Sequence, residues 1–337
     1  MSLKIAVLST VAWRTPPRHY GPWEQMASNL TERLVKAGHE VTLFATGDSL
    51  TKAKLDSVIE SGYEENRNQD AKVIECLHIS NLMEKSNQFD IIHNHFDFLP
   101  LSFSALIKTP VITTIHGFSS EKIIPVYQKY NKSSSYVSIS DANRHPNLNY
   151  LATVYNGIET DEFQFNHTPA DYLLFFGRIH PDKGTAEAIE IARQCGRKLI
   201  IAGIIQDEAY YRERIQPQLD ENIVFTGSAG PEERNKLLSN ASALLHPINF
   251  DEPFGLSVAE AMICGTPVIA FNRGSMPELI QSGKTGFLVQ DTHEAVEAVK
   301  ELPNINRQYC SDWAIGKFSA KKMADDYVAL YHKILNF

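Results

Sequence analysis

Cysteine is scarce in this 337-residue chain. Cys76, Cys195, Cys264 and Cys310 lie far apart, with no CxxC spacing. Neither a disulfide framework nor a cysteine-based zinc site is indicated. Long apolar runs are also missing, and nothing approaches the ~20 residues of a membrane span. The opening apolar stretch Ile5–Leu8 is too short for a signal peptide's core and reads as a buried first strand, so a cytoplasmic location is expected. Positive charge is not in excess either. The 32 Lys and Arg stand against 40 Asp and Glu, a formal net charge of -8. That balance argues against a general nucleic-acid binder, whose binding face would be basic. No GxGxxG follows the first strand, which removes the fingerprint of a dinucleotide-dependent dehydrogenase.

What is present is an ordinary globular composition, 43% hydrophobic and 21% charged, with length enough for two domains. Short apolar runs alternate with amphipathic ones almost throughout, the rhythm of parallel α/β sheets. In the first half strands are expected near Lys4–Ser9, Glu40–Ala45, Asp90–Asn94, Val111–Ile115 and Tyr136–Ile139. In the second they are expected near Tyr172–Phe176, Lys198–Ala202, Asn222–Phe225, Ala243–Leu245 and Pro267–Ala270. Each series suffices for one Rossmann-like domain. The polar, aperiodic stretch Glu159–Ala170 reads as a linker, and Ser61–Asp70 as a surface loop.

Two segments carry chemistry. Asp251-Glu-Pro-Phe-Gly-Leu-Ser-Val-Ala-Glu260 sets Glu252 and Glu260 eight residues apart, astride a turn that opens the helical run Leu256–Cys264. The backbone N–H groups at such a helix start, with its positive dipole end, suit a phosphate or a developing negative charge. Glu252 stands just before those donors. Glu260, about two turns on at ~3.6 residues per turn, shares their face. Taken alone, the segment reads equally as an amphipathic helix with an acidic start. The second segment, Asp171-Tyr-Leu-Leu-Phe-Phe-Gly-Arg-Ile-His-Pro-Asp-Lys-Gly184, is an apolar strand, then Arg178 and Lys183 on a tight loop, then a helix over Thr185–Cys195. Two cations there suit a diphosphate. Both loops fall at strand-to-helix edges, where open α/β sheets bind ligands.

Together these segments resemble the retaining, nucleotide-sugar-dependent glycosyltransferases of family 4, whose fold is GT-B: two Rossmann-like parallel-sheet domains facing across a cleft. Lys4–Ser9, Tyr20-Gly-Pro-Trp-Glu24, Gly38–Phe44, Asp90–His95, Thr113–Gly117, Val137–Ser140, Val154–Gly157 and Gly265–Ala270 fall in the family's order. The resemblance covers nearly the whole chain. It implies an acceptor domain at 1–156, joined by a returning helix at 319–337, and a nucleotide-sugar domain at 157–318.

It also implies roles. Arg178, Lys183 and the helix start at Phe254, Gly255 and Leu256 would stabilise the leaving diphosphate. Glu252 would hold donor-sugar hydroxyls and Glu260 the ribose. His116 matches the family's histidine near the sugar hydroxymethyl group; the alternative is a histidine that caps its strand. Gly21 stands where the family often carries a Gly-Gly pair near the phosphates. Pro22 replaces the second glycine and removes one backbone donor.

The aromatic and basic loop of Trp13, Arg14, His19, Tyr20 and Trp23 is the acceptor candidate, with His93 and His95 as further cleft-lining groups. Local packing of Trp23 is the alternative for that residue. His93, His95 and Asp97 lack a recognisable further ligand for a metal. No Asp-x-Asp occurs, so the metal-dependent GT-A transferases gain no support and no cofactor is expected. The expected partners are a nucleotide sugar and a hydroxyl acceptor, with peripheral membrane contact left open. Ser282-Gly-Lys-Thr-Gly286 lacks the first glycine of a P-loop, having Glu278 there, and reads as a turn before a strand-like Phe287-Leu-Val. A GT-B sugar-nucleotide epimerase or a sugar phosphorylase remains the alternative, because one fold hosts several activities.

Overall fold

The computed structural model describes residues 2–18 and 21–336. The chain divides into two compact units. Unit 1 comprises Met1–Gly157 with Ala320–Phe337, and unit 2 comprises Ile158–Ser319.

Unit 1 is built on a seven-stranded sheet. Its strands are β1 (Lys4–Leu8), β2 (Glu40–Phe44), β3 (Lys54–Asp56), β4 (Ile91–Asn94), β5 (Val111–Ile115), β6 (Ser134–Ser138) and β7 (Tyr150–Thr153), in the order β3-β2-β1-β4-β5-β6-β7. All pairings are parallel. Central strands of a parallel sheet are covered on both faces, which is why Ile5-Ala-Val-Leu8 is apolar at every position. Ile5 and Val7 pack with Ala27, Leu30 and Leu34 of helix Pro22–Lys36, and with Met323, Tyr327 and Tyr331 of helix Ala320–Leu335. Ala6 and Leu8 point to the other face, against Ile79, Leu82 and Met83 of helix Ala71–Glu84.

Unit 2 carries a six-stranded parallel sheet: β8 (Leu173–Phe176), β9 (Leu199–Ala202), β10 (Ile223–Gly227), β11 (Ala243–His246), β12 (Val268–Phe271) and β13 (Gly286–Val289), ordered β10-β9-β8-β11-β12-β13. Helix Thr185–Cys195 lies between Gly184 and Gly196, both left-handed, so its ends are set by the two residues that adopt that conformation without strain.

In each sheet the chain grows outward from one strand and then restarts beside it. The restarts fall between β1 and β4, and between β8 and β11. Loops that leave two such strands at their carboxyl ends run in opposite directions and open a crevice. β3 and β7 were not expected. Both are short edge strands with half-exposed side chains, so no apolar run marks them. Residues 283–285 form a turn that leads into β13. Among the described residues no helix is long and apolar enough to cross a membrane.

Candidate functional site

In unit 2 the two loops at the β8/β11 restart come together. At Gly184, with φ +73°, a Cβ would sit 1.8 Å from the Pro247 carbonyl oxygen, so glycine lets one loop rest on the other. Asn249 fastens the contact. Its N–H donates to the Asp182 carbonyl at 2.7 Å and its side-chain amide to Glu187 at 2.8 Å. Across this seam Lys183 Nζ donates to Glu252 Oε2 at 2.5 Å, and the ammonium lies 4.5 Å from the Phe250 ring centre. Both side chains are largely buried, 15% and 13% exposed, so neither is screened as a surface pair would be. His246, the last residue of β11, brings Nε2 to 3.8 Å from the same carboxylate oxygen. Burial, and then the nearby Lys183 charge, push the His246 imidazole down to about 3, so it is neutral at physiological pH.

The backbone after Glu252 is buttressed by the turn after β12. Ser275 donates its N–H to the Glu252 carbonyl at 2.9 Å and its hydroxyl to the Phe254 carbonyl at 2.7 Å. Gly274 (φ +54°) has no room for a Cβ, which would lie 2.4 Å from Glu252 N. Helix Leu256–Ile263 then starts from Gly255, whose φ of +93° turns the chain into it. The first N–H groups of a helix have no partner within it.

Glu260 lies further along that helix and is buried. Burial raises its carboxyl pKa, and Arg234, with Nη1 3.3 Å from Oε1, opposes that rise. Arg234 also approaches Glu162 at 3.7 Å and lies 5.1 Å from the Phe163 ring centre. Arg178 is separate from the Lys183–Glu252 pair, with its guanidinium donating to Gln206.

In unit 1 His116 follows β5 directly. Its ring stacks on Trp23, with centroids 5.6 Å apart and planes 21° apart. Its Nε2 is 3.0 Å from His95 Nδ1. His93 and His95 lie on one face, their ring centres 4.2 Å apart.

The expectation that these two line an acceptor surface needs correction. His93 is 0% and His95 1% exposed. β4 is a central strand, and helix Ala320–Leu335 covers that face: Tyr331 OH lies 2.6 Å from His93 Nδ1, and Thr114 Oγ1 lies 2.7 Å from Nε2. His93 therefore has no exposed atom to offer an acceptor. Burial holds all three imidazoles neutral, His116 at about 3 and the other two well below the ordinary value.

The β1 loop is half-buried at Trp13 and Arg14, and Arg14 Nε donates to the Pro16 carbonyl at 3.0 Å. The segment read as a surface loop braces it. Tyr63 and Glu64 donate their N–H groups to the Val11 and Ala12 carbonyls, and at Gly62 a Cβ would lie 2.2 Å from the Ala12 oxygen. Gly21, buried with φ +155°, would bring a Cβ to 2.8 Å from Glu24 Oε2. His19 and Tyr20 lie outside the described residues.

Sequence reasoning missed four groups: His246, Arg234, the buried Glu24 that accepts the Thr10 hydroxyl, and Asp97 as a braced carboxylate. Asp97 has φ +99°, rare for a residue with a side chain, and its carboxylate accepts the Tyr127 hydroxyl at 2.5 Å. Burial raises its pKa to about 6. A lone arginine in a polar helix and a histidine at a strand end leave no pattern to find. Only Glu24 was signposted, by its place after Gly21-Pro-Trp. No cluster of metal-ligating side chains occurs among the described residues.

Two parallel-sheet units, each with a strand order that restarts beside its first strand, match the GT-B fold of solved glycosyltransferase structures. The family model for glycosyl transferases group 1 matches residues 157–314, and that for glycosyltransferase family 4 matches residues 24–162. The chain belongs to the family 4 type of GT-B glycosyltransferases. It is 25% identical to an uncharacterized glycosyltransferase of Methanocaldococcus jannaschii, over 85% of this chain and 85% of that protein. Among solved structures it is similar to AviGT4, a glycosyltransferase involved in avilamycin A biosynthesis, with TM-score 0.73, 23% identity, and coverage of 99% of this chain and 98% of the other. It is likewise similar to Anabaena HepE in complex with UDP and glucose, with TM-score 0.73, 18% identity, and coverage of 97% and 99%.

Proposed function

We propose that the protein transfers a hexosyl group from a UDP- or GDP-hexose to a hydroxyl acceptor, with retention at the anomeric carbon and without a metal ion. The Lys183–Glu252 contact at the carboxyl edge of β8 and β11 carries the reading. A partly buried cation and a partly buried carboxylate meet beside a helix start, which supplies positive charge for a diphosphate and an acceptor for sugar hydroxyls within one hydrogen bond's length. The UDP and glucose bound by HepE support a nucleotide sugar as the donor class.

The bond from the anomeric carbon to the diphosphate oxygen breaks, and negative charge grows on the leaving group. Lys183 and the N–H groups at Phe254–Leu256 stabilise that charge. Arg178 joins them once its side chain leaves Gln206. Being held in place before the reaction, such donors cost little reorganisation. The acceptor oxygen bonds to the same face of the anomeric carbon, and its proton passes to the departing diphosphate oxygen. Glu260, whose carboxyl pKa is raised by burial and lowered in part by Arg234, accepts the ribose hydroxyls. In unit 1, His116 is assigned to a sugar hydroxyl and the Trp13–Trp23 loop to the acceptor.

Incubation with UDP-glucose or GDP-mannose and no acceptor tests the reading. Slow release of nucleoside diphosphate is expected in excess chelator. An inverted sugar stereocentre with no release would replace the transferase with an epimerase.

A further inference from the structure

We infer that His95 is a positioning residue that fixes the proton of His116: His95 Nδ1–H donates to His116 Nε2, which leaves His116 with its proton on Nδ1.

The rings meet at 3.0 Å between His95 Nδ1 and His116 Nε2, a distance that requires one of the two nitrogens to carry a proton and the other to be bare. Both imidazoles are neutral because burial disfavours their charged forms, so each ring holds one proton. Two arrangements satisfy the contact. In the first, His116 Nε2–H donates, and the single proton of His95 then sits on its own Nε2. That atom is buried and has no partner among the described residues. A buried N–H without a partner forfeits its hydrogen bond outright, a cost of about 1–3 kcal/mol. In the second, His95 Nδ1–H donates, and the unpartnered Nε2 is a bare lone pair; folded proteins leave buried N–H groups orphaned less often than acceptors. The second arrangement is the one assigned.

The neighbours leave His95 little freedom to do otherwise. His93 lies against it with ring centres 4.2 Å apart. His93 is itself clamped by Tyr331 and Thr114, and the Thr114 hydroxyl also lies 2.6 Å from Tyr327 OH. Trp23 stacks on His116 and fixes the plane of that ring. The terminal helix thus holds His93, His93 braces His95, and His95 sets which nitrogen of His116 is the donor. A ring whose tautomer is set by the hydrogen bond at its other nitrogen presents one fixed polarity to a ligand. Under the transferase reading, on which this part rests, His116 Nδ1–H is a hydrogen-bond donor toward a sugar oxygen.

The wild-type protein tests the assignment without any substrate. With ¹⁵N-labelled histidine, scalar coupling across an N–H···N bond identifies an imidazole pair that shares a proton. The expected pattern is a protonated Nδ1 coupled to a bare Nε2. A protonated Nε2 coupled to a bare Nδ1, or no coupling between imidazoles, overturns it. Two variants extend the test to function. His95→Asn keeps an N–H donor near the Nδ1 position, whereas His95→Gln places its amide near Nε2. Nucleoside diphosphate release should stay within a few-fold of wild type in H95N and fall by about 10- to 100-fold in H95Q, mainly in kcat. If the coupling is as expected and H95Q turns over normally, the tautomer stands and the role of His116 in transfer is wrong. If the coupling has the opposite sense, the positioning role falls whatever the activity.

Discussion

The carboxyl edge of the sheet in unit 1 carries a row of neutral rings beside the Glu24 and Asp97 carboxyls, each tied to a hydroxyl, and that of unit 2 carries ion pairs. His93, His95 and His116 pack ring against ring, buried and uncharged. Lys183–Glu252 and Arg234–Glu260 place charge at the corresponding restart of the second sheet. The backbones are alike, with parallel strands around a restart in each, so the difference lies in what the loops carry. Partly buried charges are retained at a cost in desolvation, which a charged ligand offsets when it arrives. Neutral imidazoles and indoles cost less to bury and suit hydroxyls and sugar faces.

Breaking the charged edge should give the largest effect. Lys183→Ala is expected to lower nucleoside diphosphate release by about ten- to a thousandfold, since a fixed cation facing a leaving group is worth a few kcal/mol. It also leaves Glu252 with its nearest counter-charge gone, so a lower melting temperature should accompany the loss. Wild-type turnover in the purified variant would remove Lys183 from the diphosphate site.

Breaking the neutral edge should damage the fold instead. His93→Ala removes a fully buried ring with both nitrogens bonded, and leaves the Tyr331 hydroxyl and one bond of Thr114 unmatched. A loss of about 2–4 kcal/mol is expected by denaturant titration. A loss below about 0.5 kcal/mol would show that the site collapses or admits water at little cost.

Glu260→Ala should weaken donor binding by about tenfold while turnover at saturating donor changes little, because a ribose contact lies away from the breaking bond. Arg234→Met sharpens the point. Arg234 lowers the Glu260 pKa against the rise due to burial, so without it the carboxyl protonates at higher pH. Donor affinity in R234M should then decline more steeply than in wild type as pH falls. Parallel pH profiles would detach Arg234 from Glu260.

The smallest effect concerns Asp97. Its folded-state pKa of about 6 lies above the unfolded value of 3.8, so the folded protein binds this proton more tightly. The resulting stabilisation is complete below the unfolded pKa and is lost as pH rises through about 6. Asp97→Asn cannot ionise, and asparagine tolerates φ +99° better than most residues. The variant should gain on wild type by on the order of 1–2 kcal/mol between pH 4 and 7.5. Melting curves that keep a constant separation over that range would contradict the account.

How much of this was legible depended on whether a residue's neighbours in sequence were also its partners in space. Apolar runs such as Leu173-Leu-Phe-Phe176 announced the central strands, and Gly184 and Gly196 bracketed a helix correctly placed over Thr185–Cys195. Lys183 and Glu252 were each readable from their loops, but their contact depends on Gly184 resting on Pro247, which no local pattern encodes. Arg234 reaches Glu260 from another helix, and His246 reaches Glu252 from a strand end, so neither left a signal. His93 misled because alternation along a strand gives a face but not what covers it. Here the cover arrives from Tyr327 and Tyr331, more than two hundred residues later.

In this mechanism unit 2 supplies the positive site for a nucleoside diphosphate from its own residues. Calorimetric titration of UDP and of GDP into the protein in excess EDTA tests this most directly, with Lys183→Ala alongside. The account predicts binding of one of the two by wild type without metal, and at least about tenfold weaker binding by the variant. Equal affinity for wild type and variant, or binding by wild type that appears only when a divalent metal is restored, would contradict it.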